Sequence, residues 1–436
     1  MHNRRTQDKR IADDTDTLLA MFAYLQLLRT YPHFLGFGVL LCASASFGQT
    51  WFISLFGGEI RAAFSLSHGD FGAIYSAATL ASGVSLVWVG RLLDRVALPR
   101  FSSAVFMGLG LAALGMWYCP NIMVLGLAFF GLRLCGQGLL THISVTSMAR
   151  YFDANRGKAI SVATLGFPLT ETVFPLTVVA VSAAVGWQTS WLVWSLVALA
   201  GLLPLSLYLL QRSQYLWQPL DVSAAQRHTV ETSPSSISTS GWTRERVVRD
   251  RRFHLVLPYL LAPAFISTGI MFHQVHLVDS KGWPLEWFAA GFVAYGIAKI
   301  VGSLIGGPLV DRYSARALFP WFLAPMSLGV LLLGMTDTPL VAFVFLALTG
   351  VTNGLSGPIG GAFWAEVYGT GHLGAIRALA VAIMVVGSAL SPVVFGSAFD
   401  AGISFSATLY ASFAIAAGAT ALALIAMRLP ADEFPG

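Results

Sequence analysis

The sequence predicts an all-α integral membrane protein with twelve transmembrane helices in two pseudo-symmetric halves of six. The first observation is composition: 56% of the residues are hydrophobic and only 11% are charged, whereas about a quarter are charged in soluble domains. The second is a short charged turn, GRLLDR at residues 90–95, which recurs as GPLVDR at residues 307–312. A repeated turn between long apolar segments is typical of two membrane halves built on one plan.

The net charge of +5 does not indicate a nucleic-acid partner, because the basic residues are spread over the loops between apolar segments. Three cysteines, Cys42, Cys119 and Cys135, lie within or at the ends of apolar runs. Their spacing matches neither a set of metal ligands nor a disulfide framework. The sequence therefore predicts no cofactor, no metal site and no nucleic-acid partner, and it implies a lipid bilayer around the chain.

Twelve apolar segments reach the length of about 20 residues that a membrane-spanning helix needs. They cover residues 34–56, 71–91, 101–118, 122–149, 157–185, 188–210, 253–277, 287–310, 317–336, 339–365, 373–398 and 403–428. A polar stretch, residues 211–252, is first rich in Ser and Thr and then in Arg, and it divides the segments six plus six. We therefore expect a first half at residues 31–210, a linker at 211–252, a second half at 253–430 and a tail at 431–436.

The N-terminal segment, residues 1–30, begins polar and then places apolar residues three to four positions apart. That spacing predicts a helix lying on the membrane surface, and a solvated tail leading into the first span is the alternative. The apolar positions are Leu18, Leu19, Met21, Phe22, Leu25 and Leu28. A signal peptide is not expected, because no compact apolar core followed by a small-residue cleavage site precedes the first span.

The distribution of Lys and Arg predicts the orientation. With a cytoplasmic N-terminus, all but four of the 26 basic residues fall on the cytoplasmic side. Arg61 and Lys281 lie on the opposite side, and Arg133 and Lys299 lie inside spans. The positive-inside rule then places both termini in the cytoplasm. We expect a multi-pass protein of the cell (inner) membrane that works as a monomer.

Three ionisable side chains lie near the middle of predicted spans: Arg133 in the fourth, Glu171 in the fifth and Lys299 in the eighth. Each costs about 2.5–3.5 kcal/mol at the centre of a membrane, so each needs a partner or a function. Carriers bind their substrates at this depth. Two cations against one acid favour a small anion as the ligand, with Glu171, or alternatively a histidine, as the residue that carries a coupled proton.

Helical periodicity suggests the walls of a substrate site. At 100° per residue the face of Arg133 carries Gln137, whereas His142 points the other way. The face of Lys299 carries Tyr295. The predicted substrate-binding residues are Arg133, Lys299, Gln49, Gln137, Tyr295 and Asn353. Further expected wall residues are Thr50 and Trp364, and any of the uncharged ones equally suits packing between helices.

The charged residues also have structural interpretations. Arg133 and Glu171 suit a buried ion pair that pins two neighbouring spans together. For Lys299 no acid is evident nearby in the sequence, so a substrate anion is its expected partner. Snorkelling towards the membrane surface, or an acid that the sequence does not reveal, is the alternative.

Two histidines, His273 and His276, share a face near the outer end of the seventh span. They suit a sensor of external pH or a metal site. Packing and hydrogen bonding are the more common roles of two such histidines without a Cys or acid cluster beside them.

The six-plus-six layout, the basic central linker and the repeated G-x-L-x-D-R turn resemble the major facilitator superfamily across essentially all twelve spans. The first turn departs from the family pattern, because Ala97, Leu98 and Pro99 follow where the family continues with Gly and two basic residues. The resemblance implies the major facilitator fold and transport by alternating access.

Within that superfamily, the segment Gly48-Gln49-Thr50, the stretch 133–138 and a cation in the eighth span are most similar to bacterial relatives of monocarboxylate and oxalate:formate carriers. The oxalate:formate type implies a second cation in the eleventh span. Here that span offers only Arg377, near its cytoplasmic end.

The repeated turns are predicted to act as gates. By pseudo-symmetry, Asp94 should face the start of the eleventh span at residues 374–377, and Asp311 should face the start of the fifth at residues 157–160. A carboxylate at a helix N-terminus gains about 0.3–1 kcal/mol, enough to bias a two-state equilibrium. The predicted gating residues are Asp94, Arg95, Arg150, Asp311, Arg312 and Glu366. A turn that only sets topology is the alternative.

The predicted function is secondary active transport of a small, monocarboxylate-like organic anion by alternating access, with or without a coupled proton. One alternative is an exporter of drugs or other amphipathic compounds, which the aromatic content favours. Another is a membrane sensor that does not transport, and the long linker is the only feature that supports it. An enzyme is not expected, because the sequence contains no H-E-x-x-H, G-x-S-x-G or P-loop pattern.

Overall fold

The computed structural model describes residues 24–152, 155–217 and 241–429, and it is built from helices. Twelve of them form two groups of six, before and after the linker. Their bounds are α1 Pro32–Gly48, α2 His68–Asp94, α3 Leu98–Tyr118, α4 Ile122–Tyr151, α5 Arg156–Val185, α6 Trp187–Arg212, α7 Arg251–Phe272, α8 Leu285–Tyr313, α9 Ala315–Met335, α10 Leu340–Tyr368, α11 Leu373–Asp400 and α12 Phe405–Arg428. The predicted all-α fold with two halves of six helices is confirmed.

Eleven of these helices, α2 to α12, are long and apolar enough to cross a membrane. The exception is α1, whose predicted span at residues 34–56 is interrupted. The helix ends at Gly48, Gln49 is extended with φ −75° and ψ 148°, and a short helix, Thr50–Ser54, continues the path. Broken helices of this kind are tolerated in membranes where the freed backbone groups face protein or a cavity.

The break in α1 faces a second irregularity, in α4. Residues Leu132–Leu140 of α4 are π-helical rather than α-helical. A Cβ atom on Gly48 would overlap the Leu132 carbonyl oxygen, and one on Gly136 would lie 2.7 Å from the Gly48 backbone nitrogen. The two backbones therefore touch directly, which only glycine permits. Irregular helical turns often mark functional positions.

The two halves meet along two pairs of helices, α2 with α11 and α5 with α8. Glycines make both contacts close. A Cβ atom on Gly72 would overlap the Pro392 carbonyl oxygen, and one on Gly396 would overlap that of His68. Small residues at such crossings let backbones approach and gain dispersion contacts, which is how membrane helices associate without a hydrophobic driving force.

The bundle has two ends, and we call the one that carries the repeated turns at residues 90–95 and 307–312 the turn end. At the opposite end, hydrogen bonds join the halves: Gln274 Nε2 donates to the Trp51 carbonyl at 2.8 Å, and Ser54 Oγ donates to that of Met271 at 2.7 Å. At the turn end, no hydrogen bond or ion pair between the halves occurs within the described residues. The molecule is therefore closed at the opposite end.

Of the linker, residues 211–217 and 241–252 are described. Trp242 is buried there, and its backbone nitrogen donates to the Tyr368 carbonyl at 3.0 Å at the end of α10. The Arg246 guanidinium lies 4.0 Å from the centre of the Trp242 ring. The end of the linker is thus docked on the second half. Most of the predicted N-terminal segment lies outside the described residues, although residues 24–30 are helical.

Candidate functional site

An ion pair between the two halves lies at the centre of the molecule. Lys299 Nζ of α8 is 2.9 Å from Glu171 Oε1 and 2.6 Å from Glu171 Oε2 of α5. The side chain of Glu171 is only 8% exposed and that of Lys299 is 23% exposed. In this conformation the partner of Lys299 is an acid from the other half of the chain, which is the alternative that the sequence left open.

Close packing brings this pair together. Gly296, three residues before Lys299, would clash with Thr172 Oγ1 if it carried a Cβ atom, and that atom would be 3.0 Å from the Pro168 carbonyl oxygen. Thr172 Oγ1 itself donates to the same Pro168 carbonyl at 2.7 Å. The backbones of α8 and α5 are therefore nearly in contact, and Lys299 reaches Glu171 directly. Removing one partner of an ion pair that is shielded from water strongly destabilises the folded protein, because the other charge is left buried and unpaired.

A cavity of about 120 Å³ lies beside Glu171, and both halves line it. We call it the central cavity. The first half contributes Gln49, Thr50, Trp51 and Glu171, and the second contributes Ser267, Thr268, Met271, Phe292, Tyr295, Thr349 and Asn353. The structure thus brings the sequence-predicted Gln49, Glu171, Tyr295 and Asn353 to one wall. The break at Gln49 explains why α1 turns polar groups into this space.

A small hydrogen-bond network orients the walls. Asn353 Nδ2 donates to the Tyr295 hydroxyl at 3.1 Å, and Lys299 Nζ lies 5.5 Å from the centre of the Tyr295 ring. On the other side, the Thr50 and Tyr75 hydroxyls are 2.8 Å apart. Tyr75 was not among the predicted site residues, because a lone tyrosine in an apolar span has no distinguishing signal in the sequence.

Arg133 does not pair with Glu171. Its Nη1 donates to the Gly48 carbonyl at 2.9 Å, and its guanidinium carbon lies 5.4 Å from the centre of the Tyr75 ring. The proposed ion pair of Arg133 with Glu171 is therefore wrong. The break in α1 exposes a backbone carbonyl that the sequence cannot reveal, and Arg133 binds it. Arg133 Nε is buried without a hydrogen-bond partner among the described residues.

Arg133 and Gln137 line a separate cavity of about 310 Å³ between α2, α4 and α11. His142 lines the same cavity, although uniform helical periodicity places it on the other face. The π-helical segment explains the difference, because its wider turns advance each residue by a smaller angle than an α-helix does. Arg133 therefore lines a different cavity from Glu171, the partner of Lys299.

The predicted gating residues are tied within each half in this conformation. Arg150 Nη2 forms an ion pair with Asp94, and Arg150 Nη1 approaches the Leu93 carbonyl at 3.5 Å. In the second half, Glu366 accepts hydrogen bonds from the backbone nitrogens of Ala315 and Arg316, each at 2.8 Å. The first turn is therefore held by the C-terminal end of α4, and the start of α9, directly after the second turn, is held by the C-terminal end of α10.

The other predicted contacts of the turns are not formed here. Asp94 makes no hydrogen bond to residues 374–377, and Asp311 makes none to residues 157–160. Across the described parts of the chain, Arg95, Asp311 and Arg312 take part in no ion pair. Among the residues that the structure describes, hydrogen bonds and ion pairs therefore join the halves at the centre and at the opposite end only.

A histidine cluster closes the opposite end. The ring centres of His68 and His276 are 4.1 Å apart, and those of His68 and His273 are 5.8 Å apart. His68 was not among the predicted residues, because it belongs to the first half and meets the other two histidines only in the folded molecule. Asp400 binds beside it, accepting from the His68 and Gly69 backbone nitrogens at 3.0 and 2.8 Å. Among described residues, no group of three or more His, Cys, Asp or Glu is placed to hold a metal ion.

Two half-bundles of six spanning helices that enclose a polar cavity define a membrane transporter. The sequence model of the Major Facilitator Superfamily matches residues 39–294 and 282–435. The chain therefore belongs to the Major Facilitator Superfamily, and the resemblance noted in the sequence is confirmed at that level.

Three known proteins illustrate the relationship. The uncharacterized MFS-type transporter YcxA of Bacillus subtilis (strain 168) is 25% identical over 390 residues, covering 86% of this chain and 90% of YcxA. A bacterial homolog of the human lysosomal transporter Spinster, in an inward-facing and unoccupied conformation, superposes with a TM-score of 0.67 at 13% identity, covering 91% and 97% of the two chains. The nucleoside transporter NupG gives a TM-score of 0.63 at 13% identity, covering 91% and 98%. At such identities the two structures show the shared fold alone.

Proposed function

We propose that the protein is a secondary active transporter of a small, monocarboxylate-like organic anion, with a proton as the coupled ion. The observation that carries this proposal is the Lys299–Glu171 pair, which joins the two halves beside the central cavity. Lys299 is bound to Glu171, which lines that cavity, and a carboxylate in the cavity would meet Lys299 where Glu171 is now bound.

The proposed mechanism is competition for Lys299. A substrate carboxylate that binds Lys299 takes the place of the Glu171 carboxylate. Glu171, left without its cation in a space of low dielectric, is then stabilised by binding a proton. Substrate and proton together remove the ion pair that holds α5 to α8. The anion therefore binds more tightly to the conformation in which the two halves are apart at this point. Only such a difference in affinity shifts a conformational equilibrium.

We further propose that the turn end is cytoplasmic and that both termini lie there, in the cell membrane, since the basic loops cluster at that end. The closed opposite end then faces outward, and the conformation is an inward-facing one. In the alternate state, Asp94 and Asp311 would reach the starts of α11 and α5 and close the turn end. The ion pair of Asp94 with Arg150 supports a role for Asp94 in the gate rather than in the substrate site.

Uptake into proteoliposomes tests the proposal. The purified protein should accumulate a labelled monocarboxylate such as lactate in response to an inward proton gradient, and Lys299→Gln should abolish this uptake. Glu171→Gln should keep binding but lose the response to the gradient. Lys281→Gln is the matched control, because Lys281 pairs with Asp337 at 2.7 Å in the same half, far from the cavity. Uptake by Lys299→Gln at the unmodified rate would contradict the anion site.

A further inference from the structure

A second cavity, of about 280 Å³, lies wholly within the second half, between α7, α9, α10 and α11. We call it the side cavity. Aromatic and aliphatic side chains form most of its wall, including Phe319, Phe322, Trp364 and Met384. Among the described residues that line it, Arg377 alone is charged. Within the described residues Arg377 forms no ion pair or hydrogen bond, so its guanidinium is available to a ligand.

Three glycines of α10 keep the side cavity open: Gly357, Gly360 and Gly361. A Cβ atom on Gly357 or Gly360 would meet no atom within 4 Å, and one on Gly361 would meet only Arg377 Nη2, at 4.0 Å. Glycine destabilises the interior of a helix relative to alanine. At Gly354 of the same helix, glycine allows close packing, because a Cβ atom there would overlap the Lys299 carbonyl oxygen. At the three glycines of the side cavity no such packing offsets the cost. The empty space itself is the feature that these glycines maintain.

The side cavity adjoins the central cavity. Asn353, one helical turn before Gly357, lines both of them. The two cavities therefore lie next to each other at Asn353, between Arg377 at the turn end and the Lys299–Glu171 pair at the centre. A cation at one end of an apolar space matches a ligand with a carboxylate at one end and an apolar body at the other.

We propose that the side cavity is a second substrate subsite, in which Arg377 binds the carboxylate and the aromatic walls bind an apolar body. The substrate class is then a monocarboxylate with a branched aliphatic or aromatic body, and not one as small as formate or acetate. This inference rests on the proposed function, since it assigns the size and shape of the anion. Apolar surface buried against the walls supplies the added affinity.

Binding of matched ligands to the purified full-length protein tests the subsite. The unmodified protein should bind phenylacetate at least about tenfold more tightly than acetate. Gly360→Leu, whose side chain extends into the open space, should remove this advantage and leave acetate binding unchanged. Gly357→Leu should give the same result. Gly418→Leu is the control, because a Cβ atom there also meets nothing within 4 Å but lies on α12, away from the cavity.

The ligand charge is tested with the neutral amide of the same shape. Phenylacetamide should bind at least about tenfold more weakly than phenylacetate. The Arg377→Gln variant should show a smaller difference between the affinities for the two ligands. Equal binding of the two would overturn the assignment to carboxylates and favour an exporter of amphipathic compounds. Undiminished phenylacetate binding in both leucine variants would overturn the subsite, yet loss of uptake in Lys299→Gln would still support the central site. The two proposals can therefore fail separately.

Discussion

Gly296 of α8 packs against Thr172 of α5 so closely that a Cβ atom on Gly296 would overlap Thr172 Oγ1. This contact joins the two halves one helical turn from the Lys299–Glu171 pair. The close approach of the backbones and the formation of the ion pair are thus one structural feature, because the lysine reaches the carboxylate only when the helices touch.

The first prediction concerns this contact. Gly296→Val should force α8 away from α5 and destabilise the closed arrangement by about 1–3 kcal/mol, the usual cost of overpacking. Thermal unfolding in detergent should show a lower Tm, and transport should fall. Gly307→Val on the same helix is the control, because a Cβ atom there meets nothing within 4 Å. Equal Tm values for the two variants would show that the contact does not hold the halves together.

The second prediction concerns the energetics of the ion pair. Glu171→Leu or Lys299→Leu alone should destabilise the protein by about 3–5 kcal/mol, because each leaves a buried charge without its partner. The double variant should recover most of that stability, since two apolar side chains replace both charges, but it should not transport. A thermal unfolding double-mutant cycle measures this. Additive losses in the double variant would mean that the two residues do not interact energetically.

The third prediction concerns the turn at Asp94. Asp94→Asn should slow transport and leave substrate affinity largely unchanged, since it weakens the tie to Arg150 without touching a cavity. The side chains of Asp94 and Arg150 are 65% and 39% exposed, so stability should change by less than about 1 kcal/mol. Initial rates of uptake report on transport, and equilibrium binding reports on substrate affinity. Both are measured for Asp94→Asn and for the control Asp337→Asn at the opposite end. A loss of affinity without a change in rate would place Asp94 in the substrate site.

The fourth prediction concerns pH and the histidine cluster. Burial, and next the positive charge of Arg61, lower the pKa of His276 in this closed conformation, while Asp279 acts in the other direction. Facing groups are His68 of α2, His273, and Asp400 of α11. Because the pKa of His276 lies below the ordinary value of about 6.5 when this end is closed, the open form binds the proton more readily. The closed form is therefore favoured above a pH of about 6.5, and its population falls as the pH drops below that value.

Distances between spin labels at Ala62 and Ala401, one in each half at the opposite end, measure this shift. The separation should increase between pH 7.5 and pH 5, a range centred near the ordinary pKa of histidine of about 6.5. The His68→Gln and His276→Gln double variant should lose most of the response. A double variant with the full response would exclude the cluster as its source.

Much of the site was predictable because intramembrane charges are rare. Arg133, Glu171 and Lys299 were found from their positions in apolar segments, and Gln49, Tyr295 and Asn353 from polarity and helical face. Their pairing was not predictable. Glu171 and Lys299 lie 128 residues apart, and helical periodicity says which face a residue occupies but not which helix that face meets. For His142 even the face was wrong, because the π-helical segment of α4 changes the angle between successive residues.

The sequence by itself determined the membrane class, the two groups of six helices, the repeated turn and the positions of the three charges midway along their helices. Each of these depends on local composition, because about 20 apolar residues and a basic loop have the same consequence in any membrane protein. Only the tertiary structure decided that Lys299 binds Glu171, that Arg133 binds the carbonyl freed at Gly48, and that His68 joins two histidines of the other half. These contacts arise where glycine faces let distant backbones touch, and such complementarity exists only once the helices have packed.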